Sequence, residues 1–174
     1  MNGTFIGRSA QPPVFLKPKW YDMSKQNSFV MGSKGISHQF VFAGDNRNIL
    51  VRGGTGTGKT RLMKQLLKMV AEANQKAVVL DGYDEYFEHK KEFQIISLAE
   101  KPFLNQTEQE RCKQSDVVII DEGLKWYFQD PEKFLVFLDE LEQADTRVFA
   151  SFQAIPEALV EKFDVYLELD PLIA

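Results

Sequence analysis

The stretch Gly53-Gly54-Thr55-Gly56-Thr57-Gly58-Lys59-Thr60 decides how the rest of this 174-residue sequence is interpreted. It fits the pattern G-x-x-x-x-G-K-[ST], and it lies between a predicted strand at 48–52 and a predicted helix at 59–73. Glycines have no Cβ, so the backbone N–H groups of such a loop can curl around a phosphate, and the helix N-terminus adds partial positive charge. The stretch therefore predicts a phosphate-binding loop, called the P-loop below.

Two side chains of the P-loop predict which phosphates it binds. Lys59 should reach the β- and γ-phosphates of a nucleoside triphosphate, and the Thr60 hydroxyl should ligate Mg²⁺. We therefore expect residues 53–60 to bind ATP with Mg²⁺. The alternative, a glycine-rich turn without a ligand, is disfavoured because the motif is complete and stands where a P-loop requires it.

A second motif follows the predicted strand at 117–120, which is an unbroken β-branched run. Such a run is typical of a parallel strand that is covered on both faces. Asp121 at its end is expected to hold Mg²⁺, and Glu122 is expected to act as the catalytic residue that polarises a water in line with the γ-phosphate. The alternative for this acidic pair is a solvated turn.

Two further polar residues follow predicted strands. Gln153 closes a strand at 148–152, where its amide could contact the γ-phosphate and the attacking water, or could simply lie in a surface turn. Asp81 follows the strand at 77–80 and heads an acidic cluster at the carboxyl edge of the sheet. This acidic cluster is as suited to shaping the site, or to forming a subunit contact, as it is to contacting the nucleotide.

The predicted elements alternate between strands and helices. The helix at 59–73 carries one apolar stripe, and Asp130 with Pro131 predicts the start of a later helix, with Asp as N-cap and Pro in the first turn. Further strands are predicted at 39–42, 93–98, 147–151 and 165–169, and a short helix at 156–162. This order predicts an α/β fold with three layers, in which helices cover both faces of a mainly parallel central sheet.

The first part of the chain differs from the rest. Prolines and glycines predict an extended N-terminal arm over residues 1–38, followed by the P-loop domain at 39–174. The aromatic residues of the arm indicate that it packs on something, either its own core or a neighbouring subunit.

Composition limits the possible functions. With 21 basic and 25 acidic residues the formal net charge is −4, which excludes a basic sheath that grips nucleic acid in bulk. The single cysteine, Cys112, excludes an intrachain disulfide and, without a recognisable signal peptide, favours a cytoplasmic protein. No apolar run approaches the ~20 residues that cross a bilayer, so a protein that does not span a membrane is expected.

Together these motifs resemble those of the HerA/FtsK superfamily, which are RecA-like P-loop ATPases of the ASCE type. The resemblance covers about residues 45–170 and rests on the P-loop, Asp81 with Glu85, Asp121-Glu122, and Gln153 followed by Ile155-Pro156. It implies a homo-oligomer, a hexameric ring that threads double-stranded DNA through a central pore using ATP. The bare motor core most resembles the minimal DNA-packaging ATPases of membrane-containing icosahedral viruses. That implies viral genome packaging, with a capsid or membrane vertex protein as partner and a location in host cytoplasm or virion.

The sequence departs from the family in places. Phe152 stands where many cellular members have Thr, and the transmembrane helices and extra α-helical domain of anchored members are not seen. A ring motor needs an arginine that reaches a neighbour's γ-phosphate, and Arg147 is the first candidate, with Arg111 next.

Three other functions remain open. A plasmid or conjugative DNA-transfer ATPase would share all these motifs. A small P-loop nucleotide kinase is disfavoured because Glu122 suits activation of water, which a kinase must avoid, and because an arginine-rich lid is missing. An AAA+ helicase-loader-like protein normally carries a C-terminal helical lid, which this sequence lacks.

The P-loop assignment generates the first prediction. Lys59→Ala should abolish or greatly weaken nucleotide binding, because the phosphates lose their most deeply placed cation. Titration of a fluorescent ATP analogue measures this. Normal binding and hydrolysis by the variant would show that the P-loop assignment is wrong.

Overall fold

The computed structural model describes residues 28–33, 36–41, 48–99, 101 and 103–169 of the chain. The strands in these ranges are β1 (Ser28–Ser33), β2 (Ile36–Val41), β3 (Ile49–Gly53), β4 (Ala77–Asp81), β5 (Gln94–Ser97), β6 (Val117–Asp121), β7 (Arg147–Phe152) and β8 (Val165–Leu169). The helices are α1 (Lys59–Glu72), α2 (Gln106–Lys113), α3 (Leu124–Gln129), α4 (Pro131–Gln143) and α5 (Glu157–Val160), with a 3₁₀ turn at Phe87–His89.

The six strands from β3 onward form one sheet in the order β5-β4-β6-β7-β3-β8. Every neighbouring pair is parallel, so all six carboxyl ends lie at the same edge. The predicted α/β fold with a mainly parallel sheet is confirmed. The order places β3, which leads into the P-loop, between β7 and β8, and places β6 between β4 and β7.

Two apolar clusters cover the two faces of this sheet. On one face α1 packs its predicted stripe, including Leu62, Leu66 and Val70, against alternate residues of the strands. The other face is covered by apolar side chains of α2, α3, α4 and α5. Every residue of β6 is buried, as expected for a β-branched strand with a helical layer on each side.

The helix α4 begins as its sequence predicts. The Asp130 side chain accepts a hydrogen bond of 3.0 Å from the backbone N–H of Lys133, and Pro131 stands at the first helical position. Its predicted apolar face is buried: Phe134, Phe137, Leu138 and Leu141.

The structure contains elements that the sequence patterns did not predict. The helices α2 and α3 were not predicted, and β1 lies in the stretch predicted to be an extended arm. β1 pairs with β2 as an antiparallel hairpin, and the predicted boundary between residues 38 and 39 lies inside β2. Most of the predicted arm at 1–38 lies outside the described residues, so the division into arm and domain stays a prediction. Among the described helices, none is long and apolar enough to cross a membrane.

The cap of α4 generates a stability prediction. Asp130→Ala should lower the free energy of unfolding by about 1 kcal/mol, because a helix N–H loses its acceptor. Asp130→Ser, which keeps an acceptor oxygen, should retain most of that stability. Urea denaturation measures both variants, and an equal loss in the two would show that the cap is not the cause.

Candidate nucleotide-binding site

The carboxyl edge of the sheet brings the predicted site residues together. Asp81 at the end of β4 is the register partner of Asp121 at the end of β6. β6 pairs with β7 up to Ile120 and Ala150, the residues just before Asp121 and Ser151. β3 pairs with β7 up to Arg52 and Phe152, the residues just before Gly53 and Gln153. Residues that lie far apart in sequence therefore surround one P-loop.

The P-loop is folded tightly on itself. Both the backbone N–H and the hydroxyl of Thr57 donate to the carbonyl of Gly54, at 3.3 and 2.9 Å. A Cβ on Gly53 would lie 2.3 Å from the Thr57 hydroxyl oxygen, so this turn requires glycine. Gly58 has a φ of 94°, a left-handed conformation that other residues rarely adopt. The chain then enters α1 at Lys59, which points the helix N-terminus at the loop.

Lys59 contacts both the P-loop and the acidic pair. Its Nζ donates to the carbonyl of Gly54 at 3.0 Å and forms an ion pair of 2.9 Å with Oε1 of Glu122. The side chains are only 4% and 14% exposed. A charge buried to this extent requires a partner, and Glu122 supplies it without a nucleotide.

The Asp121 carboxylate is 4% exposed and is held by two hydroxyl groups. The hydroxyl of Tyr86 donates to its Oδ2 at 2.8 Å, and the hydroxyl of Ser151 donates to its Oδ1. Burial and the neighbouring Asp121 carboxylate raise the pKa of Tyr86 above its ordinary value, so the phenol stays protonated and acts as a donor.

Asp81 folds the loop that follows β4. Its carboxylate accepts hydrogen bonds of 2.9–3.2 Å from the backbone N–H groups of Tyr83, Glu85 and Tyr86. These contacts are those of a residue that shapes the site. The loop returns Tyr86 to the end of β6, where its ring is fully buried.

Glu122 and Gln153 follow β6 and β7, two strands that lie on the same side of β3 and its P-loop. Glu122 has a φ of 56°, which is unusual for a residue with a side chain and is typical of functional sites. Its backbone N–H donates to the Ser151 hydroxyl at 3.0 Å. The side chain of Gln153 is exposed, and its Nε2 lies 3.4 Å from the hydroxyl oxygen of Thr55.

Arg147 lies away from these residues. It begins β7 at the amino edge of the sheet, and five residue steps of about 3.3 Å put it roughly 16 Å from Phe152. The side chain is buried, and its guanidinium carbon lies 4.6 Å from the ring centroid of Phe149. Its role in a neighbouring site stays a prediction, and the side chain would have to leave this position to perform it.

The donor set fits a nucleotide with Mg²⁺. Among the described residues, no three His, Cys, Asp or Glu side chains are grouped to hold a metal by themselves. Mg²⁺ in nucleotide sites usually takes one or two protein oxygens, and phosphates and water supply the rest. Thr60 in the first turn of α1 and Asp121 at the end of β6 carry side-chain oxygens of that kind.

Tyr86 and Ser151 contact Asp121 in the site, and the sequence patterns do not predict them as site residues. A signal for Ser151 was present, since it is a polar residue inside the otherwise apolar stretch 148–152. Tyr86 carried no comparable signal, because its position beneath Asp121 depends on how the loop after β4 folds.

Comparison with known proteins supports this fold. Residues 36–99, less than half of the chain, match a family described as the type IV secretion-system coupling protein DNA-binding domain. That range contains the P-loop, α1, β4 and the loop folded by Asp81. A comparison with curated protein sequences found no match.

Solved structures of similar fold include the flagellar accessory protein FlaH from Methanocaldococcus jannaschii, with a TM-score of 0.56 and 12% identity over 71% of this chain and 70% of that one. A KaiC-like protein, PH0186 from Pyrococcus horikoshii OT3, has a TM-score of 0.54 and 17% identity over 72% of each chain. A DNA replication initiation factor has a TM-score of 0.49 and 18% identity over 71% of this chain. The present chain spans 40% of that factor's length. The fold is that of P-loop NTPases.

The ion pair between Lys59 and Glu122 generates a prediction. Glu122→Gln should bind a non-hydrolysable ATP analogue roughly 5-fold more tightly, because the phosphates no longer compete with a carboxylate for Lys59. Hydrolysis of ATP should fall about 100-fold, since an amide cannot accept a proton. Fluorescence titration and phosphate release measure the two effects. Weaker binding by the variant would show that the pair does not oppose nucleotide.

Proposed function

We propose that this protein hydrolyses ATP with Mg²⁺ at the P-loop and uses the energy to move double-stranded DNA. The observation that carries the hydrolytic part is the 2.9 Å contact between Lys59 Nζ and Glu122 Oε1. Because these two side chains are in contact, phosphates bound by Lys59 would lie within reach of the Glu122 carboxylate. A family match to a DNA-binding domain over residues 36–99 supports the choice of DNA as partner.

The chain's own residues divide the hydrolytic work. Lys59 neutralises phosphate charge, and in doing so it releases Glu122 from their ion pair. The freed carboxylate then accepts a proton from the attacking water, and Gln153, whose Nε2 lies 3.4 Å from the hydroxyl oxygen of Thr55, orients that water. Thr60 and Asp121 would hold Mg²⁺, whose chemistry here is to neutralise the negative charge of the phosphates.

The position of Glu122 favours hydrolysis over transfer to another substrate. A carboxylate poised beside the phosphate-binding lysine activates any water that enters, and a nucleotide kinase has to exclude that reaction. The kinase is therefore the weaker alternative, and the two are distinguished by whether phosphate appears free or on a nucleoside.

A groove beside the edge strand β5 is a candidate for contact with DNA. It has a volume of about 500 Å³, and its lining includes Lys90, Lys101 and Arg111. Lys101 is paired with Glu108, which leaves Lys90 and Arg111 as the better candidates. Phosphate contacts of this kind supply most non-specific affinity for DNA, even on a protein whose net charge is −4.

There are two candidate settings for this activity. Viral genome packaging and conjugative or plasmid transfer both fit the sequence motifs, and the match to coupling proteins favours transfer. A ring of identical subunits, most simply a hexamer, would multiply one modest basic groove into a DNA-binding channel. In such a ring Arg147 would complete the site of a neighbour.

Hydrolysis assays with and without DNA test the proposal. Phosphate release should rise several-fold with double-stranded DNA and should be lost in Lys59→Ala. The double variant Lys90→Ala/Arg111→Ala should keep its basal rate but need about 10-fold more DNA for half-maximal stimulation. Its log–log salt slope should be smaller by about 2, because two phosphates of the DNA would no longer be neutralised by the protein.

Lys68→Ala is the matched control, because Lys68 is an exposed lysine on α1, away from the groove. It should respond to DNA like the unaltered protein. Transfer of phosphate to a nucleoside, or hydrolysis indifferent to double-stranded DNA, would contradict the proposed function.

A further inference from the structure

The Asp121 carboxylate receives one hydroxyl donor from each side of its strand. β6 lies between β4 and β7, and the loop after β4 supplies Tyr86 while β7 supplies Ser151. Each carboxylate oxygen therefore accepts one hydroxyl and retains one lone-pair direction for another partner. Hydroxyl donors on opposite sides of the Asp121 carboxylate restrict its rotation about the Cβ–Cγ bond.

The Tyr86 hydroxyl is placed by several contacts. Asp81 accepts the backbone N–H of Tyr86 at 2.9 Å, which fixes the loop where the ring enters the core. Lys64 Nζ lies 5.4 Å from the centroid of the Tyr86 ring and forms an ion pair of 2.9 Å with Glu88. Lys64 stands on α1, one turn after Thr60, so the same helix that follows the P-loop also holds Tyr86.

Packing alone does not explain a tyrosine at this position. The Tyr86 ring is fully buried, and the ring of a phenylalanine would fill the same space. A phenylalanine has no hydroxyl that needs a hydrogen-bond partner in the core. Burial of a hydroxyl is costly unless it is hydrogen-bonded, and its partner here is the side chain of Asp121. The presence of this hydroxyl is therefore explained by its hydrogen bond to Asp121 and not by packing in the core.

We propose that Tyr86 and Ser151 are positioning residues that orient the Asp121 carboxylate toward the metal of a Mg²⁺–nucleotide complex. Asp81 contributes by folding the loop that delivers Tyr86. This inference rests on the proposed function, because it assumes that Asp121 serves Mg²⁺. Both hydroxyls donate to Asp121, so their loss should weaken the response to metal and leave phosphate binding by the P-loop intact.

Binding of a fluorescent, non-hydrolysable ATP analogue tests the inference without any turnover. Affinity is measured in EDTA and across a Mg²⁺ titration. Tyr86→Phe removes one oxygen atom and should bind the analogue in EDTA within about 2-fold of the unaltered protein. The Mg²⁺ concentration that gives half of the metal-dependent gain should rise about 10-fold, the size typical for loss of an outer-shell partner.

Tyr83→Phe is the matched control, since it removes the same hydroxyl from an exposed residue of the same loop. Its Mg²⁺ titration should equal that of the unaltered protein. Ser151→Ala is an independent second variant and should shift the titration in the same direction as Tyr86→Phe. Thermal unfolding of each variant confirms that the comparison is made between folded proteins.

The outcomes are distinct. Mg²⁺ titrations of Tyr86→Phe and Ser151→Ala that match the unaltered protein would overturn the positioning role. An equal loss of analogue affinity with and without Mg²⁺ would also overturn it, because that result would mean that the substitutions impair phosphate binding by the P-loop. An unaltered protein that binds no analogue, or binds it without any response to Mg²⁺, would overturn the proposed function itself.

Discussion

Two charged side chains, Lys59 and Asp121, lie almost fully buried at the carboxyl edge of the sheet, and each requires compensation by neighbouring groups. An isolated charge in such a place costs several kcal/mol, so the surrounding chain is arranged around it. Glu122 and a P-loop carbonyl compensate the lysine, and two hydroxyls compensate the aspartate. The parallel register of the strands brings these partners to the same edge.

Under the proposed function, the ion pair of Lys59 with Glu122 would link nucleotide binding to catalysis. The lysine ammonium group can bind a phosphate, and the glutamate carboxylate can accept a proton from water. Without a nucleotide the two neutralise each other, which keeps the buried lysine compensated. With phosphates at Lys59 the carboxylate loses its partner at the moment when a base is needed. Because the backbone of Glu122 has a φ of 56° and is held by the Ser151 hydroxyl, only the side chain has to move.

Sequence patterns predicted those parts of the fold whose signal is local. The glycine spacing predicted the P-loop, the β-branched run predicted β6, and Asp130 with Pro131 predicted the start of α4. The helix α2 was missed because its sequence has no apolar stripe, although Asn105 and Glu108 form a capping box that marks its start. Tyr86 and Ser151 were missed as site residues because their roles are hydrogen bonds to Asp121 across 35 and 30 positions of sequence. A polar residue inside an apolar stretch marks Ser151, but no local pattern reports which distant residue such a hydroxyl contacts.

The loop after β4 links the surface of the protein to the interior of the site. Tyr83 and Phe87 are exposed, and between them Tyr86 is fully buried against Asp121. The backbone N–H groups of Tyr83, Glu85 and Tyr86 all donate to Asp81, so one carboxylate holds the backbone of both an exposed and a buried ring. The acidic motif headed by Asp81 thus belongs to the site through the loop it folds, and direct contact with nucleotide is not required for it to matter.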